Sequence, residues 1–593
     1  MSSASLNNAQ RQAVESGNEP LLIIAGAGTG KTRTLTERIR HLLEQGVDPG
    51  SVIAVTFTNK AAKEMRERTA EATKGGIQPW IGTFHSFGAR FLRKHAALLP
   101  GRSRDFSIYD DGDRMTLLRR IAKTLPGKVT AATLRSRISA IKNGMESLAD
   151  LEADTSPASS AALQAYRAYE EALAANNAFD FDDLIVKPAE LLEQHEALRS
   201  RYQNDIGYVL IDEYQDINEA QYRLVRNLVG PGSHLTVVGD DHQTIYSWRG
   251  SNIGIFMSFE RDWPSARVIK LEENYRSTRT IIEASNAVIA NNRNQLAKNL
   301  VSNKEQGEAI VVADFPTELD EAMWVARELG TFVKEGRGSA AVLYRTNAQA
   351  RALEHALVRA RVPYHVYGGL QFYDRLEVRD VLAAVRVAAN PQDELGKERL
   401  LKTFKKRKGM PIIEALLALE NPGPAEAIEA FLAASRYAEH LEEAFDNAED
   451  RLANVGELRS FATSFETITE FLEHVSLVQS TDTKSGGNSA AGVTLMTGHM
   501  AKGLEFDRVH IAGASEGTLP HSRSLASSAE LEEERRLFYV AMTRARHQLS
   551  ISFIHVPSRF LLEIPERFTQ VEGRRGSRNL DLDDEERYID VLW

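Results

Sequence analysis

The chain has 593 residues, no cysteine, and 82 acidic against 72 basic side chains, which gives a net charge of −10. The absence of cysteine excludes disulfides, zinc–cysteine sites, iron–sulfur clusters and every mechanism with a cysteine nucleophile. At about 150 residues per domain the length predicts about four domains, and the acidic balance argues against a protein that coats nucleic acid by bulk positive charge, although not against a local basic groove.

The N-terminal residues Met1 to Gln10 are polar and lack the apolar segment of a signal peptide. No run of about 18 apolar residues occurs, so a membrane-spanning helix is not expected. We therefore expect a soluble cytoplasmic protein with no membrane partner.

Short apolar segments rich in Val and Ile recur along the chain, and most are followed by a helical pattern. In chain order they are Leu21–Ala25, Val52–Phe57, Tyr208–Ile211, Leu235–Val238, Ala341–Tyr344, Val493–Met496 and Val509–Ala512. Such segments are typical of buried parallel strands. The predicted fold class is therefore α/β, with parallel sheets flanked by helices.

Two long intervals have helical periodicity and are rich in Ala, Leu and charged residues. They extend from about residue 90 to 205 and from about 386 to 480. We interpret both as helical insertions into α/β domains. The segment Ser485–Ser489 is predicted to be a flexible connector, and the chain after about residue 570 a disordered tail.

The first apolar segment leads directly into a glycine-rich loop. The loop reads Ala25-Gly26-Ala27-Gly28-Thr29-Gly30-Lys31-Thr32, a P-loop with Ala25 in place of its usual first glycine. Glycines allow backbone N–H groups to turn toward phosphate oxygens, and a helix beginning near Lys31 adds the positive end of its dipole. Lys31 is suited to the β- and γ-phosphates of a nucleotide and the Thr32 hydroxyl to Mg²⁺. The loop therefore predicts a nucleotide hydrolase.

An acidic strand end supplies the second half of such a site. Asp212 and Glu213 follow the apolar segment Tyr208–Ile211. Asp212 is expected to hold Mg²⁺, and Glu213 to polarise the attacking water. An Asp-Glu pair alone is often only a solvated strand end. Together with the P-loop, the functional interpretation is favoured.

Further short motifs occur in a fixed order along most of the chain, and through them the sequence resembles the superfamily 1 DNA helicases of the UvrD/Rep/PcrA type. The acidic motif itself reads Asp212-Glu213-Tyr214-Gln215-Asp216. The others are similar to the family's Q motif (Leu6–Gln10), motif Ia (Val55–Ala62), motif Ic (Thr83–Phe87), the next short motif (Phe181–Leu184), motif III (Val238–Gly250), motif IV (Glu273–Thr278), motif V (Thr497–Phe506) and motif VI (Glu534–Arg546).

The resemblance implies two RecA-like P-loop motor domains, each carrying a mostly helical insertion. The implied division is residues 1–89 and 206–276 for the first, ATP-binding motor domain, 90–205 for its insertion, 277–385 and 490–570 for the second motor domain, 386–489 for a shortened second insertion, and 571–593 for the disordered tail.

The resemblance also implies roles in ATP binding and hydrolysis. Gln10 would read the adenine edge, with Tyr275 stacked on the ring and Arg33 beside it. Gln243 would sense the γ-phosphate, Arg276 and Arg544 would be arginine fingers, and Glu505 would contact the ribose or the coupling network. Two guanidinium groups near the γ-phosphate stabilise the charge of the transition state. With Lys31, Asp212 and Glu213, the residues Gln243, Arg276 and Arg544 form the predicted catalytic set.

Motif positions that face DNA in relatives supply the predicted contacts to single-stranded DNA. Phe57, Tyr246 and Trp248 offer aromatic faces, and Thr83, His85, Arg249 and His499 are candidates for backbone contacts. Base stacking on aromatic rings does not depend on sequence, as a motor requires. Motif III carries both Gln243 and Trp248, so we expect this loop to couple the nucleotide to the DNA.

The function implied is an ATP- and Mg²⁺-dependent 3′–5′ DNA helicase or translocase, in DNA repair or replication restart. Its partners would be single-stranded DNA, junctions with duplex and repair or replication proteins that bind the tail. It would be nucleoid-associated and a monomer or weak dimer. The alternative is an ATP-gated single-stranded DNA clamp or protein-displacing translocase with little unwinding. An RNA motor stays open because the motifs do not read the 2′-hydroxyl.

Three features depart from the family pattern. Motif V has Gly498 and Met500 where relatives usually have Leu and Ser. The shortened second insertion carries the basic run Phe404–Pro411 in place of a Pro-Arg-Gly-Ile-Gly-like turn, and this run is either a contact to duplex phosphates or a solvated helix end. We expect that no small protein-binding module follows the core.

Overall fold

The structure is a computed structural model that describes residues 6–73, 76–125, 129–367, 373, 375–445, 448–481 and 492–573. The connector Ser485–Ser489 and the part of the predicted tail beyond Gly573 lie outside the described residues. The chain divides into two compact units. The first comprises Met1–Ala25, Gly30–Leu271 and Gly368–Ser485, and the second comprises Gly26–Thr29, Glu272–Tyr367 and Gly486–Trp593.

Strands and helices alternate along much of the described chain. The strands are β1 (Leu21–Ala25), β2 (Val52–Thr56), β3 (Trp80–Thr83), β4 (Ser107–Tyr109), β5 (Ala178–Asp180), β6 (Tyr208–Ile211), β7 (His234–Gly239), β8 (Arg267–Leu271), β9 (Glu273–Asn274), β10 (Val301–Ser302), β11 (Ile310–Phe315), β12 (Ala340–Tyr344), β13 (Tyr364–Val366), β14 (Val493–Thr497), β15 (Phe506–Ile511), β16 (Ala545–Ile554) and β17 (Thr569–Gly573). The α-helices are α1 (Asn8–Val14), α2 (Lys31–Glu44), α3 (Asn59–Ala70), α4 (Phe84–His95), α5 (Asp111–Thr124), α6 (Ala131–Lys142), α7 (Leu148–Ala153), α8 (Pro157–Ala175), α9 (Asp183–Gln194), α10 (Glu196–Asp205), α11 (Glu219–Leu228), α12 (Ile253–Met257), α13 (Phe259–Asp262), α14 (Arg279–Ile289), α15 (Glu318–Lys334), α16 (Ala350–Arg359), α17 (Leu376–Ala389), α18 (Glu394–Leu417), α19 (Pro424–Ser435), α20 (Tyr437–Ala444), α21 (Ala448–Ala462), α22 (Ile468–Thr481), α23 (Ser528–Met542) and α24 (Arg559–Leu562).

The first unit is built on a parallel sheet with the strand order β3-β2-β6-β7-β1-β8. Ile23 of β1 lies beside Val238 of β7 and Ile269 of β8. Strands β1 and β2 are buried along their whole length, as expected where helices cover both faces of a sheet. Because all these strands are parallel, their carboxyl ends meet at one edge, which is where α/β proteins bind ligands.

The two predicted insertions pack within the first unit. Residues 90–205 form α5 to α10 and the end of α4, together with the small parallel pair β4–β5. Helices α17 to α22 share one apolar core that includes Phe404, Phe431 and Tyr437. The helical segment begins at Leu376 rather than at 386. Its contacts group it with the first unit, whereas the sequence interpretation made it part of the second motor domain.

Buried polar contacts explain that grouping. Arg93 Nε lies 2.8 Å from Glu473 Oε1 of α22. Asp393, just before α18, accepts hydrogen bonds from Ser107 and Tyr109 of β4 at 3.3 Å each. The two helical insertions therefore make direct side-chain contacts. The helical periodicity of the sequence predicts the helices but not the contacts between them.

The second unit is built on a parallel sheet with the order β13-β14-β12-β15-β16-β11-β17. Val342 of β12 lies between Leu495 of β14 and His510 of β15. Val571 of β17 pairs with Val312 of β11. Residues 571–573, expected to start the disordered tail, therefore complete the edge strand of this sheet, because their backbone finds a partner in β11.

The predicted α/β fold with parallel sheets flanked by helices is confirmed. Every apolar segment predicted to be a strand falls on a strand of one of the two large sheets. No helix within the described ranges combines the length and the apolar character needed to cross a lipid bilayer.

Candidate nucleotide and nucleic-acid site

The glycine-rich loop ends where α2 begins, at Lys31. Gly28 and Gly30 have φ values of +67° and +83°, a left-handed conformation that glycine adopts without steric cost. The first N–H groups of a helix have no partner within that helix, and the helix dipole favours negative charge there. The predicted loop followed by a helix is confirmed, and it is suited to phosphate.

Two contacts join the start of α2 to the end of β6. Thr32 Oγ1 donates a hydrogen bond to Asp212 Oδ2 at 3.0 Å, and Lys31 Nζ lies 3.4 Å from Glu213 Oε2. The four residues that the sequence assigned to the phosphate and metal chemistry are therefore brought together at the carboxyl edge of the first sheet.

Asp212 sits in an environment that favours a bound cation. Removal from water and then the neighbouring charge of Glu213 raise the pKa of Asp212 to about 7, while Lys31 and the Thr32 hydroxyl act in the opposite direction. A buried carboxylate with a raised pKa gains stability when a positive ion approaches. Carboxylate and hydroxyl oxygens are also the ligands that Mg²⁺ prefers, so Asp212 and Thr32 fit this ion.

Glu213 has an unusual backbone conformation. Its φ of +53° and ψ of +43° lie in the left-handed region, which costs a residue other than glycine about 1–3 kcal/mol. Strain of this kind is concentrated at functional sites. It turns the chain directly after β6 and directs the Glu213 carboxylate toward Lys31.

The end of β7 carries the motif III residues. Gln243 is almost fully buried, and its Nε2 donates to Asp240 Oδ2 at 2.5 Å. Asp240 N donates to Gln215 Oε1 at 2.9 Å, and Gln215 Nε2 donates to Glu213 Oε2 at 2.6 Å. Gln215 and Asp240 thus connect two predicted catalytic residues. Sequence reasoning assigned neither residue a role, although both lie within recognised motifs.

The predicted adenine-reading residue lies beside the loop. Gln10 is 2% exposed, and its Oε1 accepts a hydrogen bond from Asn7 N at 3.1 Å in the capping box of α1. A Cβ atom on Gly30 would lie 3.0 Å from Gln10 Nε2, so the two residues are neighbours. Arg33, in the first turn of α2, is half-buried.

Three aromatic side chains follow the carboxyl edge of the same sheet. The Phe57 and Tyr246 rings are stacked, with centroids 5.6 Å apart and planes 17° apart. The Trp248 ring lies 6.3 Å from Tyr246 at 66°, and Trp248 is 64% exposed. A large exposed aromatic ring is unusual and is suited to stacking on a nucleic-acid base.

The residues predicted to contact the DNA backbone differ in how exposed their side chains are. Thr83 is 1% exposed, and its hydroxyl accepts a hydrogen bond from Ser86 N in the cap of α4. Its side chain therefore serves to fix the start of α4, which carries the half-buried His85. The His85 ring packs edge-on against Phe181 at 5.8 Å. The side chain of Arg249 lies outside the described part of the structure.

The second unit contains the predicted arginine fingers. Arg276 Nε lies 2.5 Å from Glu505 Oε2, and Glu505 Oε1 accepts a hydrogen bond from Arg546. Burial alone would raise the pKa of Glu505, but Arg276 and Arg546 outweigh it and hold that pKa below its ordinary value. Glu505 therefore orients Arg276. The other predicted arginine finger, Arg544, is 1% exposed, and its Nε donates a hydrogen bond to the carbonyl of Val540 at 2.9 Å.

Asn274 is a third residue to which the sequence analysis assigned no role. It is fully buried, and its Nδ2 donates to the carbonyl of Ala27 at 2.6 Å. Its Oδ1 accepts from the backbone of Arg276 at 2.9 Å, and Tyr275 N donates to the carbonyl of Gly28 at 3.0 Å. Motif IV therefore holds the part of the phosphate loop that belongs to the second unit. The Tyr275 ring is 41% exposed.

The departures from the family pattern have clear positions. A Cβ on Gly498 would lie 3.2 Å from Leu537 Cδ1, so a larger residue would need Leu537 to shift; the adjacent His499 is half-buried.

In the basic run, Lys405 has a φ of +60° that kinks α18, and residues 405–408 are exposed between the buried Phe404 and Gly409. The turn presents its positive charges to solvent.

Comparison with known proteins agrees with these features. Residues 6–264 match the family profile of the UvrD/REP helicase N-terminal domain, and residues 269–423 and 423–556 match that of the UvrD-like helicase C-terminal domain. The chain is 38% identical to the ATP-dependent DNA helicase UvrD1 of Mycobacterium tuberculosis over 665 aligned residues, which cover 96% of this chain and 86% of that protein. It is 38% identical to the ATP-dependent DNA helicase PcrA of Staphylococcus aureus over 633 aligned residues, which cover 95% of this chain and 86% of that protein.

Proposed function

The chain belongs to the UvrD/REP helicase family, and on that premise we propose that it is an ATP-dependent DNA helicase that moves 3′ to 5′ along single-stranded DNA. One observation carries the proposal. A single edge of the first sheet holds the Lys31–Glu213 and Thr32–Asp212 pairs together with the exposed Trp248. The residues for nucleotide chemistry and an aromatic ring that can stack on any base therefore lie at the same edge of one sheet.

We assign phosphate binding, Mg²⁺ binding, activation of the water and sensing of the γ-phosphate to different residues of the first unit. The loop N–H groups and Lys31 bind the phosphates, and Thr32 and Asp212 hold Mg²⁺, which neutralises phosphate charge when bound. Glu213 accepts the proton of the attacking water. Gln243 senses the γ-phosphate.

The remaining assignments follow the family motifs. Arg276 and Arg544 act as arginine fingers that stabilise charge in the transition state, and Glu505 positions Arg276. We assign the recognition of adenine to Gln10, Arg33 and Tyr275.

Single-stranded DNA is assigned to the aromatic row and its neighbours. Trp248 stacks on a base, Tyr246 and Phe57 support that ring, and His85, Arg249 and His499 contact the backbone. Thr83 contributes by capping the helix that carries His85.

The domain organisation we propose is that of two motor domains with two helical insertions. Residues 1–89 and 206–276 form the first motor domain, and 277–367 and 492–573 form the second. We propose that the protein acts at single-stranded DNA and its junctions with duplex, in repair or replication of nucleoid DNA.

The proposed function is tested by steady-state ATP hydrolysis with and without single-stranded DNA or RNA. The expected result is strong stimulation by DNA. Lys31→Ala should lower the stimulated rate by about 100-fold or more, because it removes a charge that binds the transferring phosphoryl group. The matched control is Lys63→Ala, which removes an exposed lysine of α3. A wild-type rate that DNA does not raise, or that only RNA raises, would contradict the proposal.

A further inference from the structure

Gln215 is a buried amide with both ends hydrogen-bonded. Its side chain is fully buried, and Nε2 donates to Glu213 Oε2 at 2.6 Å and to Asp216 Oδ2 at 3.2 Å. Its Oε1 accepts from Asp240 N at 2.9 Å. The amide therefore lies between the loop that follows β6 and the loop that follows β7, and it contacts the backbone of one and a carboxylate of the other.

The neighbouring backbone leaves no spare room around this amide. A Cβ atom on Gly239 would lie 2.7 Å from Gln215 Oε1 and 2.6 Å from Phe256 Cε2. Both distances are shorter than real Cβ contacts, so glycine is needed at the end of β7 for Gln215 to occupy its place. Close packing of this kind transmits a displacement instead of absorbing it.

We propose that Gln215 is a positioning residue that couples the motif III loop to Glu213, so that DNA bound at Trp248 and the γ-phosphate sensed by Gln243 set the orientation of the general base. The inference rests on the proposed function and deepens it. The path runs from Trp248 along the loop to Asp240, across the Gln215 amide, and to the Glu213 carboxylate.

The chemistry of the amide explains why this position holds Gln. One end of the link is a backbone N–H, which needs an acceptor, and the other end is a carboxylate, which needs a donor. An amide provides both at a fixed separation. A carboxylate at position 215 would lack the donor, and an aliphatic side chain would lack both groups. Hydrogen bonds to charged groups are also the stronger ones, so the link to Glu213 resists displacement.

The test measures how far single-stranded DNA stimulates ATP hydrolysis, as the ratio of kcat with DNA to kcat without DNA. Because both rates scale with the fraction of active protein, this ratio does not change when a variant is merely less stable. Gln215→Leu is expected to lower the ratio about tenfold or more, with the KM for ATP and the Kd for single-stranded DNA within about threefold of wild type. Gln215→Glu keeps the size of the side chain and is expected to lose stimulation as well.

A matched control and a double variant complete the test. Gln221→Leu removes a buried amide that caps α11 and lies outside the link, and it should keep the wild-type ratio. The loss in Gln215→Leu combined with Gln243→Ala should be no larger than that of the worse single variant, because both interrupt one path.

A wild-type ratio in Gln215→Leu, or losses that multiply in the double variant, would overturn the inference while leaving the proposed function in place. If Gln215→Leu does not fold, the ratio in Gln215→Glu decides in the same way. A wild-type protein that DNA does not stimulate would overturn both.

Discussion

Lys31 Nζ lies 3.4 Å from Glu213 Oε2, which joins the start of α2 to the end of β6 in the first unit. Both side chains are largely shielded from water, with 10% and 21% of their surfaces exposed. An ammonium group and a carboxylate at this distance attract each other, and partial burial strengthens the attraction. A nucleotide phosphate and Glu213 therefore compete for the same ammonium group.

This competition predicts the behaviour of Glu213→Gln. The variant should bind ATP at least as tightly as wild type, because Lys31 is released from a charged partner. It should hydrolyse ATP about 100-fold more slowly or worse, because the general base is lost. Fluorescent-nucleotide binding and single-turnover hydrolysis measure the two effects separately. Glu219→Gln, on the first turn of α11, is the control; weaker nucleotide binding by Glu213→Gln would count against the assigned roles.

The hydrogen bond from Thr32 to Asp212 predicts a metal dependence. Thr32→Ala should raise the Mg²⁺ concentration needed for half-maximal hydrolysis by about tenfold, since one oxygen ligand is lost. Thr36→Ala removes a hydroxyl one turn further along α2, which donates to the carbonyl of Thr32 at 2.7 Å, and it should leave this Mg²⁺ concentration near the wild-type value. Titration of hydrolysis with Mg²⁺ at saturating ATP gives the answer. Equal shifts in both variants would mean that Thr32 supports the helix and not the metal.

Because the Trp248 ring is exposed and suited to stacking, replacing it with a smaller side chain should weaken the binding of single-stranded DNA. Base stacking on an aromatic ring contributes about 1–3 kcal/mol, so Trp248→Ala should raise the Kd for single-stranded DNA by about 5- to 150-fold. Trp248→Phe keeps a ring and should lose less. Fluorescence anisotropy with labelled oligonucleotides of different sequence measures the change, which should not depend on sequence. Unchanged affinity in Trp248→Ala would remove this residue from the DNA site.

The buried ring of His510 should make the stability of the second unit depend on pH. The ring is fully buried and bonds to Ser550 Oγ at 2.9 Å and Ser552 Oγ at 2.8 Å. Burial, and then the charge of Arg508, lowers its pKa from 6.5 to about 3. Because this pKa is lower in the folded state, the unfolded chain binds the extra proton between these values. The stabilisation from His510 is complete above about pH 6.5 and is lost as the pH falls toward about 3.

Hydrogen exchange of β15 and β16 peptides measures this effect locally. Between about pH 7 and about pH 5, the free energy of opening should fall more in wild type than in His510→Gln, whose amide keeps a donor and an acceptor but does not titrate. Equal pH dependence in the two proteins would contradict the assignment.

Local residue chemistry accounts for the parts of the fold that the sequence predicts. Strands β1 and β6 were predicted with their observed bounds because they are apolar on both faces and end at Gly or Asp. Strand β8 was not predicted because it lies at the sheet edge and its burial alternates, with Arg267 and Lys270 exposed. Strand β17 was missed for a similar reason: its sequence, Thr569–Gly573, is polar and its partner β11 lies far away in the chain.

The same distinction applies to the site. Lys31, Thr32, Asp212 and Glu213 follow from two local motifs, and the structure brings them together. Gln215 and Asn274 each have one hydrogen-bond partner that is distant in sequence, Asp240 and Ala27 respectively, and no local pattern reveals such bonds. The left-handed backbone of Glu213 is likewise a product of tertiary packing, because the isolated residue disfavours it.

Strand separation on tailed duplexes tests the central claim most directly. Wild-type protein with ATP and Mg²⁺ should separate a duplex that carries a 3′ single-stranded tail and leave one with a 5′ tail intact, and Lys31→Ala should separate neither. Separation of only the 5′-tailed duplex would contradict the proposed direction. DNA-stimulated hydrolysis without separation of either substrate would contradict the helicase activity and favour a single-stranded DNA clamp or translocase.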